Sequence, residues 1–543
     1  MASITFIALL LMVLVAVVVI GAAAVIRRSR PEHKRDDVAV GADVVTYLIL
    51  AAAVMVLGFS VSSLARTAFP GGPFVFDPET RVATALASIA VSLPVSVILW
   101  IRQRGRRLEG GGIGGWTIYL ALIEVAFTTS LLVAWHQLLE GLFTGTGDFF
   151  LSDLIVYLAV FGFHEYAVRD TPLPKTAHEI PLTLGALIGF VPLVWGVGGI
   201  IFEGLSAIYE GLANVPYFGP GPLESIAMLL TGLPVWAYRW FHRWAGGPGP
   251  ARRAWAIVVA VGSMTAILGA GALTLTNVLT YLVDRPDAGA ARHFDFLPAA
   301  LTVAIVGYAA WQHHRSILGR ERTDSVRFYE YLLAAIGMLG LVSMSSLLVT
   351  AVFTDGLFAS NVNLVFLSVV GGLTALGLWH RYWGRGQDAP RSEEAASTAR
   401  RLYLLVLGVI TAVTSAIALI SFLVMVFRAA LGVDGLSDAA APVASLFVTS
   451  GLAAWHLLRA YSADRAMFDE GVEIEPFDVI LITSHPGRIA NLFPRQAKLR
   501  VMYRDDAHGA IDDEMADQIV AAVHNRSAVV WVDDTGFRVA HLR

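Results

Sequence analysis

Apolar runs long enough to cross a bilayer recur along this 543-residue chain, and no other feature constrains its fold as tightly. About thirteen are present, centred near residues 15, 55, 92, 127, 160, 192, 232, 268, 304, 340, 371, 415 and 450. A hydrocarbon core takes about 20 residues of helix, and lipid-exposed backbone satisfies its own polar groups only as a helix or a closed barrel. Composition agrees: 56% of residues are hydrophobic, 15% are charged and the mean hydropathy is +0.65, which excludes a water-soluble globular class. The absence of cysteine excludes disulfides, thiolate zinc sites and cysteine nucleophiles. The first run, "MASITFIALLLMVLVAVVVIGAAAVIRRSR", is too long for a signal-peptide core and has its arginines after it, so residues 1–26 read as an uncleaved helix.

The loops between runs alternate in charge. One set, including "RRSRPEHKR", "RQRGRR" and "RSILGRERTDSVR", carries 24 lysines and arginines, while the other set carries five. By the positive-inside rule the first set is cytoplasmic, which places the N-terminus outside and the C-terminal tail inside, in a multi-pass protein of the cytoplasmic membrane.

Where runs meet the basic side they end alike, in "PVSVILWIRQR", "PVWAYRWFHRW", "VGYAAWQHHR", "LGLWHRYW" and "GLAAWHLLR", with "AVFGFHEYAVR" as a sixth. From Trp100 through Phe163, Trp240, Trp311 and Trp379 to Trp455 the steps are 63, 77, 71, 68 and 76 residues, so a two-helix unit of about seventy residues recurs six times. The opposite helix of each unit opens on an aromatic motif: "RRAW", "VRFY" and "RRLY", with "VTY" and "TIY" earlier. "SVSSLARTAF" at Ser60 matches "SMSSLLVTAVF" at Ser343, an offset of 283 residues. Recurrent tryptophan, histidine and arginine at helix ends predict an interfacial anchor belt, which takes in His242, His313, His314, His380 and His456.

On the "RFYEY" and "RRLY" openings and the aromatic endings, the chain resembles a family of uncharacterised bacterial membrane proteins, the domain of unknown function 5671. The resemblance covers about residues 40 to 462 and implies tandem two-helix units. It brings no activity with it.

Ionisable residues deep in a span mark functional positions by default. Glu124 is the clearest, about nine residues or ~13 Å into its helix. His164 and Glu165 lie on the returning span, where an antiparallel neighbour brings His164 towards Glu124. A carboxylate and an imidazole in low dielectric suit proton or cation handling, and equally a buried structural hydrogen bond. Ser60, Ser63 and Thr67, like Ser343, Ser346 and Thr350, share one helical face and read as close-packing residues. Pro192, Gly196, Gly198 and Gly199 fall within one span and predict a kinked or interrupted helix.

The tail differs in kind. "FDVILITS", "KLRVMYRDD", "AVVWVDD" and "FRVAHL" read as strands, and "IDDEMADQIVAAVHN" as an amphipathic helix with Met515, Ile519, Ala522 and Val523 on one face. Ser484, Gly487 and Arg488 form a strand-to-helix junction with the parts of an anion site: open backbone N–H groups and a fixed cation.

The expectation is therefore an all-α polytopic membrane protein of about thirteen transmembrane helices in six tandem hairpins, followed by a small cytoplasmic α/β domain. Its domains are an N-terminal helix at residues 1–26, a transmembrane domain at 40–462 and the tail at 466–543. A non-enzymatic scaffold or sensor with a docking domain is the first functional expectation; a solute or ion transporter using Glu124 and His164 is the second. No catalytic residue, metal ligand set or cofactor motif is legible, and an enzyme ranks third. The expected partners are the lipid bilayer and, at the tail, a cytoplasmic protein or a small anionic ligand, with no nucleic acid.

Overall fold

In the computed structural model the described residues are 37–68, 78–108, 113–145, 151–169, 175–213, 221–241, 249–285, 289–355, 362–388, 391–433, 439–469, 477–483, 497–503, 513–523, 527–533 and 536–542. The expected N-terminal helix at residues 1–26 lies outside them. The helices are α1 (Asp37–Ala68), α2 (Pro78–Leu108), α3 (Ile113–Thr144), α4 (Leu151–Arg169), α5 (Lys175–Ala213), α6 (Pro222–Phe241) and α7 (Pro250–Asp284). Then come the short α8 (Gly289–His293), α9 (Leu297–Ile317), α10 (Asp324–Asp355), α11 (Val362–Gln387) and the short α12 (Arg391–Ala396) and α13 (Thr398–Leu402). A π-helical turn over Tyr403–Leu407 leads into α14 (Gly408–Ala430), and α15 (Ala440–Asp469) follows. Each apolar run from the one centred at residue 55 onward lies in one of these helices. Among the described residues nine helices are long and apolar enough to cross a bilayer; α4, α6 and α9 are the long helices outside that nine.

The chain divides into two compact units, one of Met1–Gly386 with Val413–Ser450, the other of Gln387–Ala412 with Gly451–Arg543. In the first, α1 packs on α2, α3 and α4, and α3 on α4, α5 and α6. The Gly114–Thr144 span is 67% buried by protein, against 17–33% for the other eight, so α3 is enclosed while the rest turn most of their surface outward. That outward surface is apolar, with Val91, Ile101, Leu212 and Phe353 among the exposed side chains, as a helix facing lipid requires. Around α3 the core is aromatic: Tyr47, Trp116, Tyr119, Phe127 and Tyr157 are buried together, and Trp116 stacks on Tyr119 at 4.9 Å. Beside the Tyr157 end of this core, the buried Asp153 of α4 accepts hydrogen bonds from the Ser62 hydroxyl and Arg66 Nε of α1, the latter at 2.6 Å.

Two expectations are narrowed. The proline and glycines of "GFVPLVWGVGGIIFEGL" do not interrupt their helix, because α5 runs unbroken for 39 residues. They allow close approach instead: a Cβ on Gly189 would lie 2.6 Å from Trp236 N, and one on Gly232 would overlap the α5 backbone at Gly189 and Leu193. The belt is likewise only partly a surface feature. Trp240 and His314 are wholly buried, Trp240 Nε1 donates to His313 Nε2 at 2.8 Å and Arg252 lies 4.2 Å over the Trp240 ring. Trp455, by contrast, is 59% exposed, as an anchor would be. The same residue types serve helix-to-helix packing and interfacial anchoring, and sequence spacing alone does not separate the two.

The tail holds β1 (Phe477–Thr483), β2 (Ala497–Tyr503), α16 (Asp513–Val523), β3 (Ala528–Asp533) and β4 (Gly536–His541), in sheet order β2-β1-β3-β4. β1 is parallel to β2 and β3, while β4 returns antiparallel to β3 with Asp533 opposite Gly536. Alternate residues Val479, Leu481, Ala528, Val530 and Val532 meet Ile519 and Val523 of α16 in a closed apolar core. Burying a valine, leucine or isoleucine side chain of this kind stabilises by about 1.5–3 kcal/mol.

Candidate functional site

A buried polar cluster is built on α3, α4 and α6. Glu124 stands in the apolar middle of α3, and its carboxylate accepts the Thr128 hydroxyl one turn on, at 3.0 Å. Arg239 enters from α6, where Ser225, Gly232 and Arg239 follow at seven-residue spacing along one buried stripe. Its Nη2 donates to Glu124 Oε2 at 2.6 Å and its Nη1 to Glu165 Oε1. The guanidinium also lies 4.5 Å over the Phe161 ring, and Tyr238 donates to the second Glu165 oxygen at 3.3 Å. Arg239 is 2% exposed, Glu124 11% and Glu165 15%. One cation thus ties two carboxylates from two other helices.

α5 closes the cluster. Gly185 lies so near that a Cβ there would overlap the Glu124 carboxylate, so a side chain at this position would have to displace it. A cavity of about 30 Å³, large enough for a water molecule, is lined by Glu124, Thr128, His164, Glu165 and Arg239 together with apolar side chains. Two carboxylates against one guanidinium leave this cavity with an excess acid when His164 is neutral.

Of the residues singled out in the sequence, Glu124 and Glu165 are joined through Arg239, and His164 lines the same cavity. His164 is not among the partners of Glu124. Its Nδ1 donates to the Val160 carbonyl at 2.7 Å, a tautomer that leaves Nε2 to accept the Tyr119 hydroxyl at 2.6 Å. Adjacent residues on a helix point about 100° apart, so His164 turns to the α3 aromatics while Glu165 turns to α6. The residue missed in the sequence is Arg239, which stands in "WAYRWFHRW" and reads there as a belt cation. The small residues one and two heptads before it are the signal that places it on a packed face. Ser484, Gly487 and Arg488 lie outside the described residues. Among the described residues no group of three His, Asp or Glu side chains is placed to hold a metal ion.

A second cluster sits at the start of α10. The buried Glu330 accepts Arg322 Nε at 2.9 Å and Arg385 Nη1 at 3.1 Å. Residues 327–452 match a domain of unknown function, DUF5671. The match opens on Arg327, the first residue of "RFYEY", and takes in α11, α14 and most of α10, together with the first part of α15; residues 40–326 and 453–462 of the region read as similar lie outside it. No curated protein and no solved structure matches the chain significantly. Within the DUF5671 region Ser346 Oγ donates to the Pro442 carbonyl of α15 at 3.1 Å, and Thr350 to the Ser346 carbonyl at 3.0 Å. The Ser346 bond ties α10 to α15, while that of Thr350 stays within α10.

Proposed function

We propose that this chain is a non-enzymatic multi-pass protein of the cytoplasmic membrane, a scaffold or sensor that presents residues 466–543 as a cytoplasmic docking domain. The observation that carries this reading is the Glu124–Arg239–Glu165 triad, in which the deep charges are committed to joining three helices rather than left facing a path. A topology of thirteen spans in six hairpins, with the N-terminus outside and the tail inside, is supported by the 24-to-five loop asymmetry and the seventy-residue recurrence. A reporter fused after Arg543 is expected to be active only in the cytoplasm, and activity only on the external face overturns the topology.

One observation favours a second reading, a proton or cation transporter: the triad holds one carboxylate more than its guanidinium neutralises, beside a cavity that His164 also lines. Reconstituted vesicles separate the two. On the scaffold reading, Glu124→Gln lowers the melting temperature and no proton or cation flux exists to be lost. A wild-type flux that Glu124→Gln abolishes at unchanged folded yield establishes the transporter instead.

A further inference from the structure

α1 and α2 leave an open groove of about 550 Å³ between Val56–Ser63 and Thr80–Ser88, at the end of the pair where the chain passes from one helix to the other. Its lining is two-sided. Val56, Phe59 and Ala85 give it apolar walls, while Ser60, Ser63, Ser88 and Arg81 give it hydrogen-bond donors.

Among the described residues these donors are unspent. Serines and threonines in the spans of this chain commonly return their hydroxyl to the carbonyl one turn back, as Thr84 does to Thr80 and Ser92 to Ser88. Ser60, Ser63 and Ser88 make no such bond among the described residues. Arg81 is only half exposed and lies two residues into the Glu79–Gly105 span, yet it has no acidic partner among the described residues. A guanidinium without a counter-charge at the rim of a bilayer is costly unless it reaches an anion, and phospholipid phosphates are the anions at that depth. The matching serine in the second half of the chain does not repeat the arrangement, since Ser346 is taken up by Pro442.

We propose that this groove is a binding site for one bilayer phospholipid, whose phosphate oxygens take the Arg81 guanidinium and the Ser60, Ser63 and Ser88 hydroxyls while the root of an acyl chain lies along Phe59 and Val56. The recognised group is a phosphate diester rather than a sugar, because the one charged donor is a planar guanidinium. The apolar walls select a lipid over a free anion.

The full chain in detergent, followed by native mass spectrometry, tests this with four probes: phosphatidylglycerol, phosphatidylcholine, diacylglycerol and inorganic phosphate. Both phospholipids are expected to stay bound and diacylglycerol to be lost. Losing a charge-assisted contact lowers affinity about tenfold, so Arg81→Gln is expected to release the phospholipids by about that factor, with Arg81→Lys recovering part of it. Arg102→Gln, at the opposite end of α2, is expected to change nothing. Because Arg81 has no acidic partner among the described residues, its variants are expected to keep the wild-type melting temperature in lipid-free detergent. Phospholipid retention unchanged in Arg81→Gln, equal retention of diacylglycerol, or equal loss in Arg102→Gln overturns the site. Inorganic phosphate binding as tightly as the phospholipids overturns the lipid assignment.

Discussion

At Glu124 two carboxylates share one guanidinium in the middle of a bundle, whereas at Glu330 two guanidiniums share one carboxylate near a helix start. Depth accounts for what each can tolerate. Arg322 and Arg385 are 25% and 38% exposed, so the surplus positive charge at Glu330 reaches solvent or headgroups. None of the three groups at Glu124 exceeds 15% exposure. Its surplus is managed locally by the Thr128 hydroxyl, the Tyr238 hydroxyl and room for a water, while the Phe161 face meets the guanidinium. An ion cluster whose members cannot reach water should behave as a single cooperative unit; one that can should behave as separable surface pairs.

The sharpest way to break this contrast is Arg239→Gln, which leaves two carboxylates facing each other in low dielectric. Breaking a buried pair of this kind costs about 3–5 kcal/mol, and unfolding in detergent should register most of it. Glu124→Gln is milder, about 1–3 kcal/mol, because Arg239 and Glu165 remain as a balanced pair. Equal losses for the two variants would mean that charge balance does not govern the site.

Gly185→Ala probes the same cluster without touching a charge. The added methyl overlaps the Glu124 carboxylate, and overpacking of this kind costs about 1–3 kcal/mol. In a Glu124→Ala background that penalty should largely vanish, since the overlapping atoms are gone. A double-mutant cycle with no coupling energy would show that α5 does not close the cluster.

How much of this was legible in the sequence follows from the range of the forces involved. The helices were, because a bilayer imposes a run of about 20 apolar residues that no tertiary contact needs to explain. The tail strands were, because a sheet buried on one face repeats every two residues. Glu124 stood out for the same reason, as an acid where the solvent tolerates none. Its partner did not: Arg239 is separated from it by 115 residues, and only the packing of α6 against α3 brings the two together. His164 and Glu165 were legible as polar, but which of the two faces Arg239 depends on the rotation of α4, which the low amphipathicity of that helix leaves undetermined. The sheet order β2-β1-β3-β4 was also out of reach, since strand pairing is set by the connections rather than by the strands.

Glu330→Gln should be cheaper than any change at the deep cluster, about 1 kcal/mol, because both arginines remain partly exposed. Salt separates the two sites further. Raising ionic strength to about 1 M shortens the screening length to about 3 Å, which should remove most of the Glu330 contribution and leave that of Glu124 standing. A Glu124 contribution equally sensitive to salt would place that cluster in contact with solvent.

The smallest expected effect compares two serines that the sequence makes equivalent. Ser63 and Ser346 stand at the same place in the matched stretches "SVSSLARTAF" and "SMSSLLVTAVF". Ser346 donates to the Pro442 carbonyl on another helix, while Ser63 has no such partner among the described residues and lines the groove beside Arg81. Interhelical hydrogen bonds within a bilayer average about 0.6 kcal/mol, so Ser346→Ala should lower stability by about that amount. Ser63→Ala loses no bond and removes only a hydroxyl from an open surface, so its unfolding midpoint in lipid-free detergent should stay at the wild-type value. If Ser63→Ala destabilises as much as Ser346→Ala, the two stretches do the same packing work and the groove at Arg81 is closed in the folded protein.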